Sequence, residues 1–138
     1  MGNQIKGKLV PTLHNGKLLH WLPLVDLVAV DLHIVTYKKL TRMIADGLIP
    51  IVTSPRLSDH TPLTNRCATV VKTKVRGGIV YGLLMAGGNK KKIFNQMIED
   101  EFPLISTLVG DGEFMPDASD RGRLVIQNVH YFRLDFTK

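Results

Sequence analysis

Cysteine is nearly absent: Cys67 stands alone in a chain of 138 residues. A disulfide framework and a thiolate zinc cluster are thereby excluded as the source of stability. Neither is needed, because a domain of this size buries roughly two thirds of its unfolded surface. The length fits one domain better than two. Aromatic residues are also few, at 7%. Signature motifs are missing. No Gly-x-Gly-x-x-Gly occurs, and the run Gly82…Gly87-Gly88 lacks the Lys-Ser/Thr that completes a phosphate loop. The histidines (His14, His20, His33, His60 and His130) show neither His-x-x-x-His nor Cys/His ligand spacing. Asp111, Glu113, Asp117 and Asp120 fill an acidic loop without the order of an EF-hand. The expectation is a protein with no metal and no cofactor. No local motif supports Cys67 as a nucleophile.

Long apolar runs are lacking too. The longest, Leu18 to Val35, is broken by Pro23, Asp26 and Asp31, and a central Asp opposes membrane insertion. No compact apolar segment ends in a signal-peptidase site, so secretion is not expected. The lone cysteine points to a reducing, cytoplasmic setting. Met1-Gly2-Asn3 has the look of a myristoylation start, but Lys6 stands where Ser or Thr is preferred, which leaves acylation of Gly2 open.

Acidic residues are scarce in the first two thirds. Residues 1–92 carry 14 Lys/Arg against four acids, net +10, whereas residues 93–138 carry four against eight, net −4. The split accounts for the overall +6. A basic body suits an anionic partner, nucleic acid or an acidic lipid surface, and an acidic final third suits contact between copies of the chain.

Residues 1–23, punctuated by Gly2, Gly7, Pro11, Gly16 and Pro23, read as a basic arm. Residues 24–138 read as one α+β domain. Residues 24–35 are apolar on both faces and predict a central strand. Thr36 predicts a helix cap over 37–46, with Gly47 as terminator. Residues 48–66 read as a Pro-rich loop with a short strand at Ile49–Thr53. Residues 67–76 alternate, Gly77-Gly78 signals a hairpin, and Ile79–Met85 returns as a strand. Asn89 predicts the cap of a helix over Lys90–Phe102, which Pro103 stops. A short extra strand at Leu104–Val109, a loop and a long strand over Leu124–Phe136 follow. This is the βαββαβ order of a ferredoxin-like split β-α-β sandwich, with the first and third strands parallel neighbours.

The glycine turn Gly87-Gly88-Asn89 followed by Lys90-Lys91-Lys92 is the sharpest local feature. Lysines at a helix start and Glu99-Asp100-Glu101 at its end both oppose the helix dipole, which suits an anion site better than a stability device. In the ferredoxin-like order Lys38, Lys39 and Arg42 converge on that turn. Lys72, Lys74 and Arg76 lie on an edge strand, and the arm adds Lys6, Lys8 and Lys17. The bland alternative is a set of solvated lysines.

A short basic segment starting Met1-Gly2-Asn3, a strand leading straight into a helix (Val25–Asp46), and a late strand–helix–strand block (Ile79–Phe136) after a Pro-rich loop resemble, in order and charge, the matrix proteins of rhabdovirus-type viruses. The resemblance implies a structural protein that self-associates and links membrane to nucleocapsid. No late-domain Pro-Pro-x-Tyr occurs, and no functional residue carries over. The first expectation is therefore a non-enzymatic binding and assembly protein, attached to nucleic acid, to an anionic membrane surface, or to both, and oligomeric through basic–acidic contacts. One alternative is a ferredoxin-like RNA-binding module, which needs Tyr81, Tyr131 and Phe132 exposed. Another is a small enzyme on a phosphorylated substrate, with His33 or His130 as acid/base beside the Gly87–Lys92 turn.

Overall fold

The computed structural model describes residues 3–30, 34–53, 65–115 and 123–137, with the backbone alone at 34–37, 112–115 and 123–127. Its elements are β1 (Gln4–Gly7), β2 (Val10–His14), β3 (Lys17–Asp26), α1 (Ile34–Ala45), β4 (Ile51–Val52), β5 (Arg66–Arg76), β6 (Ile79–Ala86), α2 (Lys91–Asp100), β7 (Leu104–Met115) and β8 (Arg123–Phe136).

Two tight hairpins seed the sheet. Gly77 and Gly78 adopt φ of 60° and 79° between β5 and β6, and Asn15 and Gly16 adopt 50° and 79° between β2 and β3. Two consecutive residues at positive φ match the right-handed twist of the flanking strands, a geometry that Asn-Gly and Gly-Gly reach with least strain. The strands assemble into an eight-stranded mixed sheet in the order β1-β7-β8-β4-β5-β6-β3-β2, curled into a half-barrel. Among the described residues only β4 and β8 pair in parallel. The two strands at the ends of that order, β1 and β2, are separated in the chain by Lys8 and Leu9 alone. One bent segment thus hydrogen-bonds β7 with its first half and β3 with its second. At this seam Gly7 lies against the ring of Pro23, with no room for a Cβ. A β-bulge in β3 leaves Leu24 outside the ladder, and the Ser106 hydroxyl of β7 donates to the Leu24 carbonyl at 2.9 Å. A buried carbonyl freed by the bulge is satisfied in this way.

Inside the curl lie Leu22, Leu24, Leu84, Leu104, Leu108, Phe132 and Leu134, all at most 1% exposed. The helices add Leu40 and Ile44 from α1 and Phe94 and Met97 from α2 to the same cluster. Both helices pack on β5 and β6, and α1 also reaches β8.

The ferredoxin-like sandwich is overturned. The stretch expected as an arm holds β1, β2 and most of β3, all within the one sheet. The central strand expected at 24–35 ends at Asp26, and α1 has begun by Ile34, which places Thr36 inside the helix rather than at its cap. The expected parallel neighbours, β3 and β6, are antiparallel. The double-sided apolarity of β6 has another cause. Val80 and Leu84 enter the core, while Leu83, on the other face, is 1% exposed opposite Trp21. The optional strand at 104–109 is the long β7, paired with β8 along its whole length. Asn89 is exposed, and Lys90 holds the N-cap position of α2 without a capping side chain. Most of the Pro-rich loop, with His60, and also Gly2, His33, Asp117 and Asp120, lies outside the described residues.

Candidate functional site

Alternation along β5 puts Lys72, Lys74 and Arg76 on one face, and all three are exposed. Successive members stand about 6.6 Å apart along the strand. Cross-strand pairing brings aromatic rings to the same face. Lys74 pairs with Tyr81 on β6, which pairs with Pro23 on β3; Lys72 pairs with Leu83, which pairs with Trp21. The Lys74 ammonium sits 4.4 Å from the centroid of the Trp21 ring and 5.5 Å from that of Tyr81. Both rings are half-buried. Cation–π contact at such a partly exposed site contributes about 0.5–1 kcal/mol and holds the lysine stem flat on the sheet. None of the three cations makes an ion pair among the described residues. Nor is β5 an edge strand throughout: β4 pairs with Arg66 and Ala68, and beyond them, among the described residues, only β6 flanks it.

The other candidate cations lie on or beside other elements. The expected convergence of Lys38, Lys39 and Arg42 on the Gly87–Lys92 turn required parallel β3 and β6, and those strands are antiparallel. Lys38 and Lys39 are exposed on α1, and Arg42 faces Asp46 at 3.9 Å. Lys6, Lys8 and Lys17 are exposed on or beside β1 and β3. At the start of α2 the donors are largely occupied. Lys90 N–H bonds Arg66 O at 3.0 Å, Lys91 N–H bonds Gly88 O at 3.3 Å, and Ile93 N–H bonds Lys90 O at 3.0 Å. Gly88, at φ 91°, clamps the turn onto β5, where a Cβ would stand 2.5 Å from Arg66 O. Of the orphan donors usual at a helix start, Lys92 N–H alone stays without a bond of this kind. The exposed lysines Lys91 and Lys92 remain, without a preformed phosphate cradle.

The alternatives fare as follows. Phe132 is fully buried, and Tyr131 is half-buried. His130 is held by Asp111 at 2.9 Å on the β7–β8 ribbon, rather than by the Gly87–Lys92 turn. Among the described residues no three His, Cys, Asp or Glu side chains gather as metal ligands, and no helix is long and apolar enough to cross a membrane.

Two titratable side chains are shaped by burial. Desolvation pushes the Cys67 thiol up to about 12. The thiolate is the reactive form, so a disulfide reagent should modify native Cys67 far more slowly than the unfolded chain. A burst of labelling in native buffer, matching the rate in denaturant, would contradict this placement. His20, on β3, is buried, and desolvation holds its ring below the ordinary 6.5. The unfolded chain takes up that proton near 6.5, whereas the folded chain resists it until lower pH. The contribution is thus full above the ordinary value and declines as pH falls towards the lowered one. A His20→Gln variant should lose less stability than the parent chain between about pH 7 and pH 5.5, by urea denaturation at each pH. Equal losses would contradict it. The sequence carries no sign of this burial beyond the apolar neighbours of His20.

No protein-family model matches the chain, and no curated protein matches it. Among solved structures the chain is similar to the bacteriophage T4 capsid assembly protease gp21, at 14% identity and a TM-score of 0.45, over 97% of this chain and 94% of that one.

Proposed function

We propose that the chain is a non-enzymatic binding protein whose outer sheet face, Lys72, Lys74 and Arg76 with Trp21 and Tyr81, takes a single-stranded nucleic acid. The observation that carries this reading is the row of three cations, without an ion pair among the described residues, laid beside two aromatic rings on adjacent strands. A single strand offers phosphates to the row and unstacked bases to the rings, and base–aromatic stacking is tolerant of sequence. A lipid headgroup layer would satisfy the lysines but has no planar group for the rings.

The test compares a fluorescent oligothymidylate with anionic vesicles at about 50 and 200 mM salt. Neutralising three phosphates of a single strand gives a log–log salt slope of about −2, hence roughly a 20-fold loss of affinity over that range. Flat salt dependence, or binding to vesicles alone, would overturn the reading.

A further inference from the structure

A pocket of about 400 Å³ opens between the β2–β3 hairpin and the C-terminal end of α2. Lys8, His20, Met97, Ile98, Glu101 and Phe102 are among its lining residues, and the rest of the wall is apolar. Its size is at the lower end of the range for small-molecule sites, about 300–1,000 Å³. Three polar groups reach it, and each is available to a ligand. The His20 side chain is only 8% exposed, yet its ring has no hydrogen-bond partner among the described residues. Lys8 and Glu101 carry opposite charges into the same pocket, but neither makes an ion pair among the described residues. Two opposite charges held apart, with a histidine ring open to the pocket between apolar walls, suit a partner bearing both signs and an apolar body.

We propose that this pocket binds a small zwitterion with an apolar side chain, of the class of an apolar α-amino acid or dipeptide. The ligand carboxylate accepts from Lys8 and from the His20 ring N–H, its ammonium donates to Glu101, and its side chain lies against Met97 and Ile98. A simple anion would meet the Glu101 carboxylate, and a simple cation the Lys8 ammonium, so charge selects against both. His20 and Trp21 are successive strand residues and point to opposite faces of β3. The pocket is therefore separate from the nucleic-acid face, and either reading can fail without the other.

The experiment is an amide NMR titration of the full isotope-labelled chain with phenylalanine, with leucyl-phenylalanine, and with N-acetyl-phenylalaninamide, in which both charges are blocked. Saturable shifts centred on residues 8–9, 18–20 and 97–102 are expected from the first two, and the tighter of them identifies the source. The blocked compound should bind more than about tenfold more weakly. Lys8→Gln and Glu101→Gln, both at exposed positions, should each weaken binding of the zwitterion about two- to fivefold. The proposal is overturned by the absence of saturable shifts with both zwitterions, by equal binding of the blocked compound, or by unchanged affinity in both variants.

Discussion

Reversal of charge at Lys72, Lys74 and Arg76 together should lower affinity for an oligothymidylate by at least about 100-fold and flatten its salt dependence. The variant loses three attractive contacts and adds three repulsive ones. All three side chains are exposed and make no ion pair among the described residues, so the chain should stay folded, losing only about 0.5–1 kcal/mol with the Lys74 cation–π contact. A matched control is built into the chain. Reversing Lys90, Lys91 and Lys92 changes the net charge by the same amount, and Lys91 and Lys92 are equally exposed. If attraction were a matter of net charge alone, both triple variants would lose affinity alike. The face described here instead predicts a loss of only a few-fold for the α2 variant. Anisotropy titrations of both variants at one salt concentration distinguish the two cases, and equal losses would place the contact elsewhere.

Phe132→Ala should cost about 3–5 kcal/mol. Against the 5–15 kcal/mol typical of a domain, that is a large fraction of the total. Phe132 is fully buried on β8, opposite Leu108 of β7 and Ile51 of β4, and its N–H donates to Pro50 O at 3.0 Å. Removal of the ring empties space where the parallel β4–β8 pairing joins the two parts of the sheet. A ferredoxin-like RNA reader would expose this ring for stacking, and truncation there would alter binding while leaving stability nearly unchanged. Urea denaturation of the variant separates the two folds; a change below about 1 kcal/mol would contradict the buried placement.

Local structure was largely legible in the sequence, and topology was not. The β5–β6 hairpin follows from strict alternation into Gly77-Gly78, and α2 from its apolar spacing and Pro103, because these signals act within a few residues. Asn15-Gly16 is an equally strong hairpin signal. The flanking lysines and prolines mask its meaning, although His20 and Leu22 fall at the two-residue spacing of a half-buried strand. The pairing of β3 with β6 and the closure by β1 and β2 depend on contacts distant in sequence. The Ser106–Leu24 hydrogen bond spans 82 positions, and no periodicity announces it. The same holds for the candidate face. The row Lys72, Lys74, Arg76 is visible in the alternation of β5, but Trp21 joins it only through the antiparallel register of β3 on β6. The Gly87–Lys92 turn looked like the stronger anion site because a sequence does not show which backbone donors are already occupied.

Trp21 is the only tryptophan in the chain, and it lies under the Lys74 ammonium at the centre of the face. Its emission is therefore a direct report on the claim that this face holds the strand. Titration with oligothymidylate at low salt should quench Trp21 fluorescence saturably, high salt should restore it, and Lys74→Glu should weaken the effect strongly. Binding detected by anisotropy with Trp21 emission unchanged throughout would contradict the account.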